Sequence, residues 1–154
     1  MRGRLAALSL ALAAVACGPA IEGVDETELA DAVGAAIGDP NTCVMLVDAE
    51  GEVVWRYGNY ITCSRQLPSC EEGGGTIVLE TLAGAAAKGD ERAISCPSRP
   101  DGSTDVAWAT GKVEPGPGAT HQPLAYAAVM EGERALPGRE IKARLERAFA
   151  QAGL

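Results

Sequence analysis

Cys43-Val44-Met45-Leu46-Val47-Asp48-Ala49-Glu50-Gly51-Glu52-Val53-Val54-Trp55-Arg56-Tyr57 decides the fold: two β-rich runs flank a short Gly-containing turn, which is the pattern of a β-hairpin. Folding the stretch about Glu50 sets Met45 across from Trp55 and Cys43 across from Tyr57. The second strand then leaves beside the start of the first, close to Cys63.

Working outward, a helix precedes the hairpin. Asp25 followed by Glu28 gives a capping-box-like start, Leu29, Val33 and Ile37 recur at helical spacing, and Gly38-Asp39-Pro40 ends the run. After the hairpin, residues 58–75 read as a long irregular loop containing Pro68 and Gly73-Gly74-Gly75. Thr76 then caps a helix to Lys88 in which Val78, Leu82 and Ala85 or Ala86 share a face and Gly89 supplies a left-handed stop; a strand starting at Thr76 is the rival reading. Three strands follow at 91–96, 105–113 and 124–130, separated by segments rich in Pro and Gly. Residues 138–152 form an amphipathic helix with Ile141, Leu145 and Phe149 on one stripe.

The order α-β-β-α-β-β-β-α fits an α/β (α+β) domain in which a five-stranded antiparallel sheet is flanked by helices that bury their apolar stripes on it. By this topology, and by the hairpin Val44-Met45-Leu46-Val47-Asp48-Ala49-Glu50-Gly51-Glu52-Val53-Val54, residues 25–154 resemble the profilin-like roadblock/dynein light chain family. The resemblance implies a profilin-like fold. Members of that family are cytoplasmic partners of small GTPases, and the match transfers no functional residue to this chain.

The chain has 154 residues, 47% hydrophobic but only 4% aromatic, and the length suits one domain. Its 19 Gly and 9 Pro, about 18% of the chain, fall below the roughly 25–30% of low-complexity sequence. An apolar run at 5–16 follows Arg2 and Arg4; it is shorter than the ~20 residues of a spanning helix and reads as an export signal. Ala14-Val15-Ala16-Cys17 satisfies an ordinary signal peptidase site, and the cysteine after a small residue also resembles the bacterial lipobox, with Ala14 where that family usually has Leu. The lipobox resemblance implies that residues 1–16 are removed, that Cys17 carries the lipid, and that 17–24 tether a single globular domain at 25–154. Gly18, where retained lipoproteins often have Asp, favours the outer membrane as the location in a bacterial cell envelope. Removing 1–16 takes two of 13 basic residues and none of 21 acidic ones, so the net charge moves from -8 to about -10. Such a surface repels phosphate backbones, and nucleic acid is not an expected partner.

With Cys17 set aside, Cys43, Cys63, Cys70 and Cys96 form an even set in a chain expected to be exported, and two disulfides are the natural reading. Three pairings are open. The hairpin favours Cys43 with Cys63 and Cys70 with Cys96. No C-x-x-C pair is present and the single histidine is remote, so no metal and no cofactor are expected.

His121 lies in a Pro- and Gly-rich loop, but no G-x-S-x-G places a serine as nucleophile; Ser64, Ser95 and Thr120 are the available hydroxyls. Gly73-Gly74-Gly75-Thr76 has the look of an anion cradle without the Lys of a P-loop, and Glu71 and Glu72 oppose an anion there. Glu71-Glu72 and Glu131 with Glu133 lack the alternating oxygens of a calcium loop and read as surface carboxylates. Trp55, Tyr57, Tyr60 and Trp108 read chiefly as core, with a recognition surface near the 58–75 loop as the alternative. The expectation is therefore a membrane-anchored envelope lipoprotein serving as a non-catalytic binding or interaction module for an envelope protein or a small ligand. The competing readings are a secreted thiol-redox or hydrolytic enzyme using Cys63, Cys70 or His121, and a structural homodimer.

Overall fold

Pairing of Thr42–Val47 (β1) with Val53–Gly58 (β2) builds the expected hairpin in a shifted register. In the computed structural model, which describes residues 21–154, Met45 faces Arg56, Leu46 faces Trp55 and Cys43 faces Gly58, whereas Val47 faces Val53. The expected partners Met45 with Trp55 and Cys43 with Tyr57 are displaced by one because a bulge at the turn end leaves Val54 as an extra residue on β2. A one-residue slip moves side chains to the opposite face of a sheet. Trp55 accordingly joins Leu46 on one face, and Arg56 joins Met45 on the other.

The full order is Glu26–Ile37 (α1), β1, β2, Tyr60–Ser64 (α2), Leu67–Pro68 (β3), Thr76–Ile77 (β4), Leu79–Ala87 (α3), Arg92–Pro97 (β5), Asp105–Val113 (β6), Leu124–Gly132 (β7) and Gly138–Gln151 (α4). Five strands form one antiparallel sheet in the order β2-β1-β7-β6-β5, and β3 and β4 form a separate pair. Setting aside α2, β3 and β4, this is the expected α+β succession. The first two strands pair by a tight turn, and β7 returns to lie between β1 and β6.

Helices cover both faces. Leu29, Val33 and Ile37 of α1 and Ile141, Leu145 and Phe149 of α4 pack on Val44, Leu46, Tyr126 and Ala128. Leu79, Leu82, Ala83 and Ala86 of α3 pack on Met45, Val47, Trp108 and Ala127. The Asp25 carboxylate accepts from the N–H groups of Thr27 (2.8 Å) and Glu28 (3.2 Å), which are otherwise unpaired at a helix start. Residues 1–16 and Cys17 lie outside the described residues. Packing on the core begins before α1, since Ile21 is buried and Val24 donates to its carbonyl (3.2 Å); the last positions of the expected tether thus lie on the domain.

The helix expected from Thr76 starts instead at Leu79. Thr76 pairs with Pro68, and its hydroxyl bonds the Gln66 side chain at 3.2 Å, so a tertiary contact holds it extended. Val78 then occupies the helix cap without a side-chain cap bond. Gly89, at φ +93°, ends α3 as its sequence implies.

The two ends of the sheet differ. One end gathers the 48–52 turn, the 114–123 connection and the chain at Gly23, which abuts Thr120. The other gathers residues 38–41, α2 and the 98–104 turn. At the start of α4, Gly138 lies directly against the backbone of β5 and β6: a Cβ there would fall 2.5 Å from the Ile94 nitrogen and 2.6 Å from the Trp108 oxygen. Its N–H donates to Ser95 Oγ at 2.8 Å. We expect Gly138→Ala to force α4 off the sheet and lower stability by about 3 kcal/mol, measured by urea unfolding followed by circular dichroism.

Candidate functional site

The segment from Gly58 to Val78, of which residues 58–75 are expected as an irregular loop, is ordered by its own residues and fastened at several points. Gly58 has φ +99°, and a Cβ there would meet the Thr42 oxygen, so glycine is required where β2 turns away from β1. Asn59 then caps α2: its Oδ1 accepts from the Thr62 N–H (2.9 Å) and its Nδ2 donates to the Pro40 oxygen (2.8 Å). A disulfide joins Cys63 of α2 to Cys43 of β1, with Cα atoms 5.2 Å apart. A second joins Cys70 to Cys96 of β5. This is the pairing that the hairpin favours, because turning β2 back along β1 delivers the chain to the Cys43 end. Between the two crosslinks, the indole N–H of buried Trp108 donates to the Pro68 oxygen at 2.8 Å.

Polar groups fasten the same segment. Arg65 donates to Glu131 at 2.8 Å, Ser98 Oγ donates to the other oxygen of that carboxylate at 3.0 Å, and Ser98 and Thr104 share a hydrogen bond of 2.6 Å. Glu131 and Thr104 are buried, and Arg65 is exposed. Arg92 meets Glu71 at 2.7 Å and Asp90 at 2.7 Å. Glu71 and Glu131 are thus engaged by arginines, and among the described residues no group of three side chains is arranged to hold a metal ion. Gly73, Gly74 and Gly75 form a turn of positive φ, with Gly74 donating to Glu71. Helix α3 begins only at Leu79, so the glycines do not assemble the anion cradle that their sequence suggests.

The aromatic residues separate into two roles. Trp55 and Trp108 are buried on opposite faces of the sheet, and half-buried Tyr57 stacks on Trp55 with centroids 6.4 Å apart. Tyr60, by contrast, is 74% exposed, and its neighbour Ile61 is 70% exposed. These two are the large exposed apolar side chains of the described residues, and α2 holds both at the surface beside the Cys43–Cys63 crosslink. A recess of about 210 Å³ adjoins Tyr60, lined also by Met45, Arg56, Cys63, Ser64, Val78 and Glu80. A second groove, of about 380 Å³, runs between α1 and α4, but its Arg144 is committed to Glu140 and to the Ala36 oxygen.

Ser64 and Ser95 are not brought to His121. His121 Nδ1 bonds the adjacent Gln122 oxygen at 2.8 Å, and its Nε2 is buried with no hydrogen-bond partner among the described residues. Ser64 donates to the Tyr60 oxygen within α2, at the opposite end of the sheet, and Ser95 receives the Gly138 N–H. Cys63 and Cys70 of the thiol reading are each joined in a disulfide, to Cys43 and Cys96. Comparison with protein-family models, with curated proteins and with solved structures returns no match.

Sequence reasoning did not single out Ile61, Arg65 or the Glu131–Ser98–Thr104 network. The signal for α2 is nonetheless present: Asn59 is a strong cap residue placed directly before Tyr60-Ile61-Thr62-Cys63. Nothing comparable marks Arg65 and Glu131, which meet across 66 positions.

One buried titratable group lies on the α4 face. Tyr126 is fully buried beside Gly111, its hydroxyl has no partner within hydrogen-bond distance among the described residues, and Lys142 approaches its ring at 5.9 Å. Burial, reinforced by the carboxylates of Glu146 and Glu91, raises its pKa well above the ordinary 10.0. Above pH 10 the unfolded chain loses the phenol proton while the folded chain keeps it, so stability falls as pH rises. We expect thermal melts to drop above pH 10 in the natural protein and to flatten there in Tyr126→Phe, which at neutral pH is about 1 kcal/mol more stable because an unsatisfied buried hydroxyl is gone. Glu131→Ala should cost roughly 1–3 kcal/mol in denaturant unfolding, chiefly because Ser98 loses its buried acceptor while exposed Arg65 regains water.

Proposed function

We propose that this protein is a lipid-anchored component of the bacterial cell envelope that works as a non-catalytic binding module, with the α2 surface as its recognition site. The observation that carries the reading is the rigid presentation of Tyr60 and Ile61: two large apolar side chains stand in solvent on a helix held by a side-chain cap and a disulfide. Exposing such groups is unfavourable unless a partner covers them, and holding them fixed lowers the entropy lost on binding. Tyrosine is also a residue enriched where interfaces concentrate their affinity.

The two disulfides suit an oxidising compartment and hence export. No helix among the described residues is long and apolar enough to cross a membrane. Attachment in this reading comes from Cys17, whose lipobox-like context supports acylation, and Gly18 supports the outer membrane. More than one acyl chain on a residue gives lasting attachment. The partner is an envelope protein or a small ligand that can fill an apolar recess edged by charge.

Intact mass spectrometry of the mature protein, taken from its native membrane without reduction, tests the anchor. The expected mass is that of residues 17–154 plus lipid, less the four hydrogens lost in forming two disulfides. Cys17→Ser should move the protein to the soluble fraction. An unlipidated mature chain with free thiols would overturn the reading.

A further inference from the structure

On the flank of the sheet, the recess between α2 and α3 lies over Met45 and Arg56 of β1 and β2. Arg56 and Glu80 both line it, both are exposed, and neither forms a salt bridge with any described residue. Tyr60 lines its rim, and Ile61, the next residue of α2, is exposed with it. One surface therefore carries a protrusion, a hollow of about 210 Å³ and one unpaired charge of each sign. Such a surface is complementary to itself, as the two halves of a two-fold interface must be.

We infer that a second copy of this chain docks on the recess. Tyr60 and Ile61 of each copy fill the hollow of the other, and Arg56 of each meets Glu80 of the other. The inference rests on the reading of the α2 surface as a recognition site and names its occupant. The position of the recess relative to the anchor favours it over a bilayer. The carboxylates of Glu22, Asp25, Glu26, Asp48, Glu50, Glu52 and Glu114 gather at the end of the sheet where the chain enters at Ile21, away from α2. Ile21 is four positions after Cys17, which sets the reach from an anchor on that cysteine to at most about 14 Å. The recess is on the flank and not at that end, so two copies held in one leaflet meet about an axis along the membrane normal with both anchors in place.

Sedimentation equilibrium of the full mature chain in density-matched detergent tests the dimer. The natural protein should be a dimer, and Tyr60→Asp with Ile61→Asp should be a monomer with both disulfides and the native circular dichroism spectrum retained. Arg56→Glu alone and Glu80→Arg alone should each weaken association about tenfold or more, and the double reversal should recover it. Rescue by the double reversal is the outcome that a merely structural role of these residues does not produce. A monomer that carries its lipid mass overturns the dimer and leaves the anchored module standing. A dimer indifferent to all these substitutions overturns it as well, because the contact then lies elsewhere. So does a monomer whose Cys17→Ser form binds phosphatidylglycerol vesicles through Tyr60, which would assign the surface to the bilayer.

Discussion

Strand β7 must satisfy every backbone group from both edges while covering a helix layer on each face, and the rest of the molecule is arranged around that requirement. It pairs along its length with β1 and with β6, and all but its last residue are buried. A strand buried on both faces has no polar side to alternate with, so Leu124-Ala125-Tyr126-Ala127-Ala128-Val129-Met130 is apolar throughout. The alanines matter for a geometric reason: with Ala107 and Ala109 of β6 they keep the sheet thin, which lets the small residues of α3 and the larger ones of α4 close on it. A core made this way needs few aromatics. Tyr126 is the exception within β7, and it fits because Gly111 opposite it has no side chain.

The flanks beyond α3 are held differently. Helix α3 covers the middle of its face, and near β1 and β2 the cover is the segment 59–78, which is too short of apolar residues to build a layer of its own. Two disulfides, the Trp108 bond to Pro68 and the Arg65–Glu131 pair fix it instead. Crosslinks of this kind stabilise chiefly by restricting the unfolded chain. The same fastening places Tyr60 and Ile61 in solvent on a helix that cannot fold them inward, because Cys63 one turn along is tied to β1. The scaffold and the exposed apolar pair thus have one physical origin.

The contrast between readable and unreadable parts follows the range of the interactions. Helix α1 is legible because its cap, its stripe at Leu29, Val33 and Ile37 and its stop at Gly38 are all local. Strand β6 at Asp105–Val113 and helix α4 are legible for the same reason. The hairpin register is not, since a single extra residue at Val54 shifts every partner beyond Val47 and Val53 without changing the pattern of residue types. The N-terminus of α3 is misplaced by sequence because Thr76 is a fair cap that a distant partner, Pro68, claims for a strand pair. Of the candidate site, sequence indicates the segment and the four cysteines but leaves the side chains unsorted: Trp55 and Tyr60 are five positions apart, and one is buried while the other is exposed.

By itself the sequence determined the α+β class, the succession of the main elements, the even set of four cysteines and the strongly acidic balance, all of which depend on composition or on residues within a turn or a strand of one another. Tertiary structure alone decided which strand lies at the centre, which face Trp55 and Arg56 occupy, how Arg65 finds Glu131 and that Tyr60 and Ile61 remain uncovered. These outcomes are set by register and by contacts between residues far apart in the chain, where the free energy of one arrangement over another resides in packing and not in local preference.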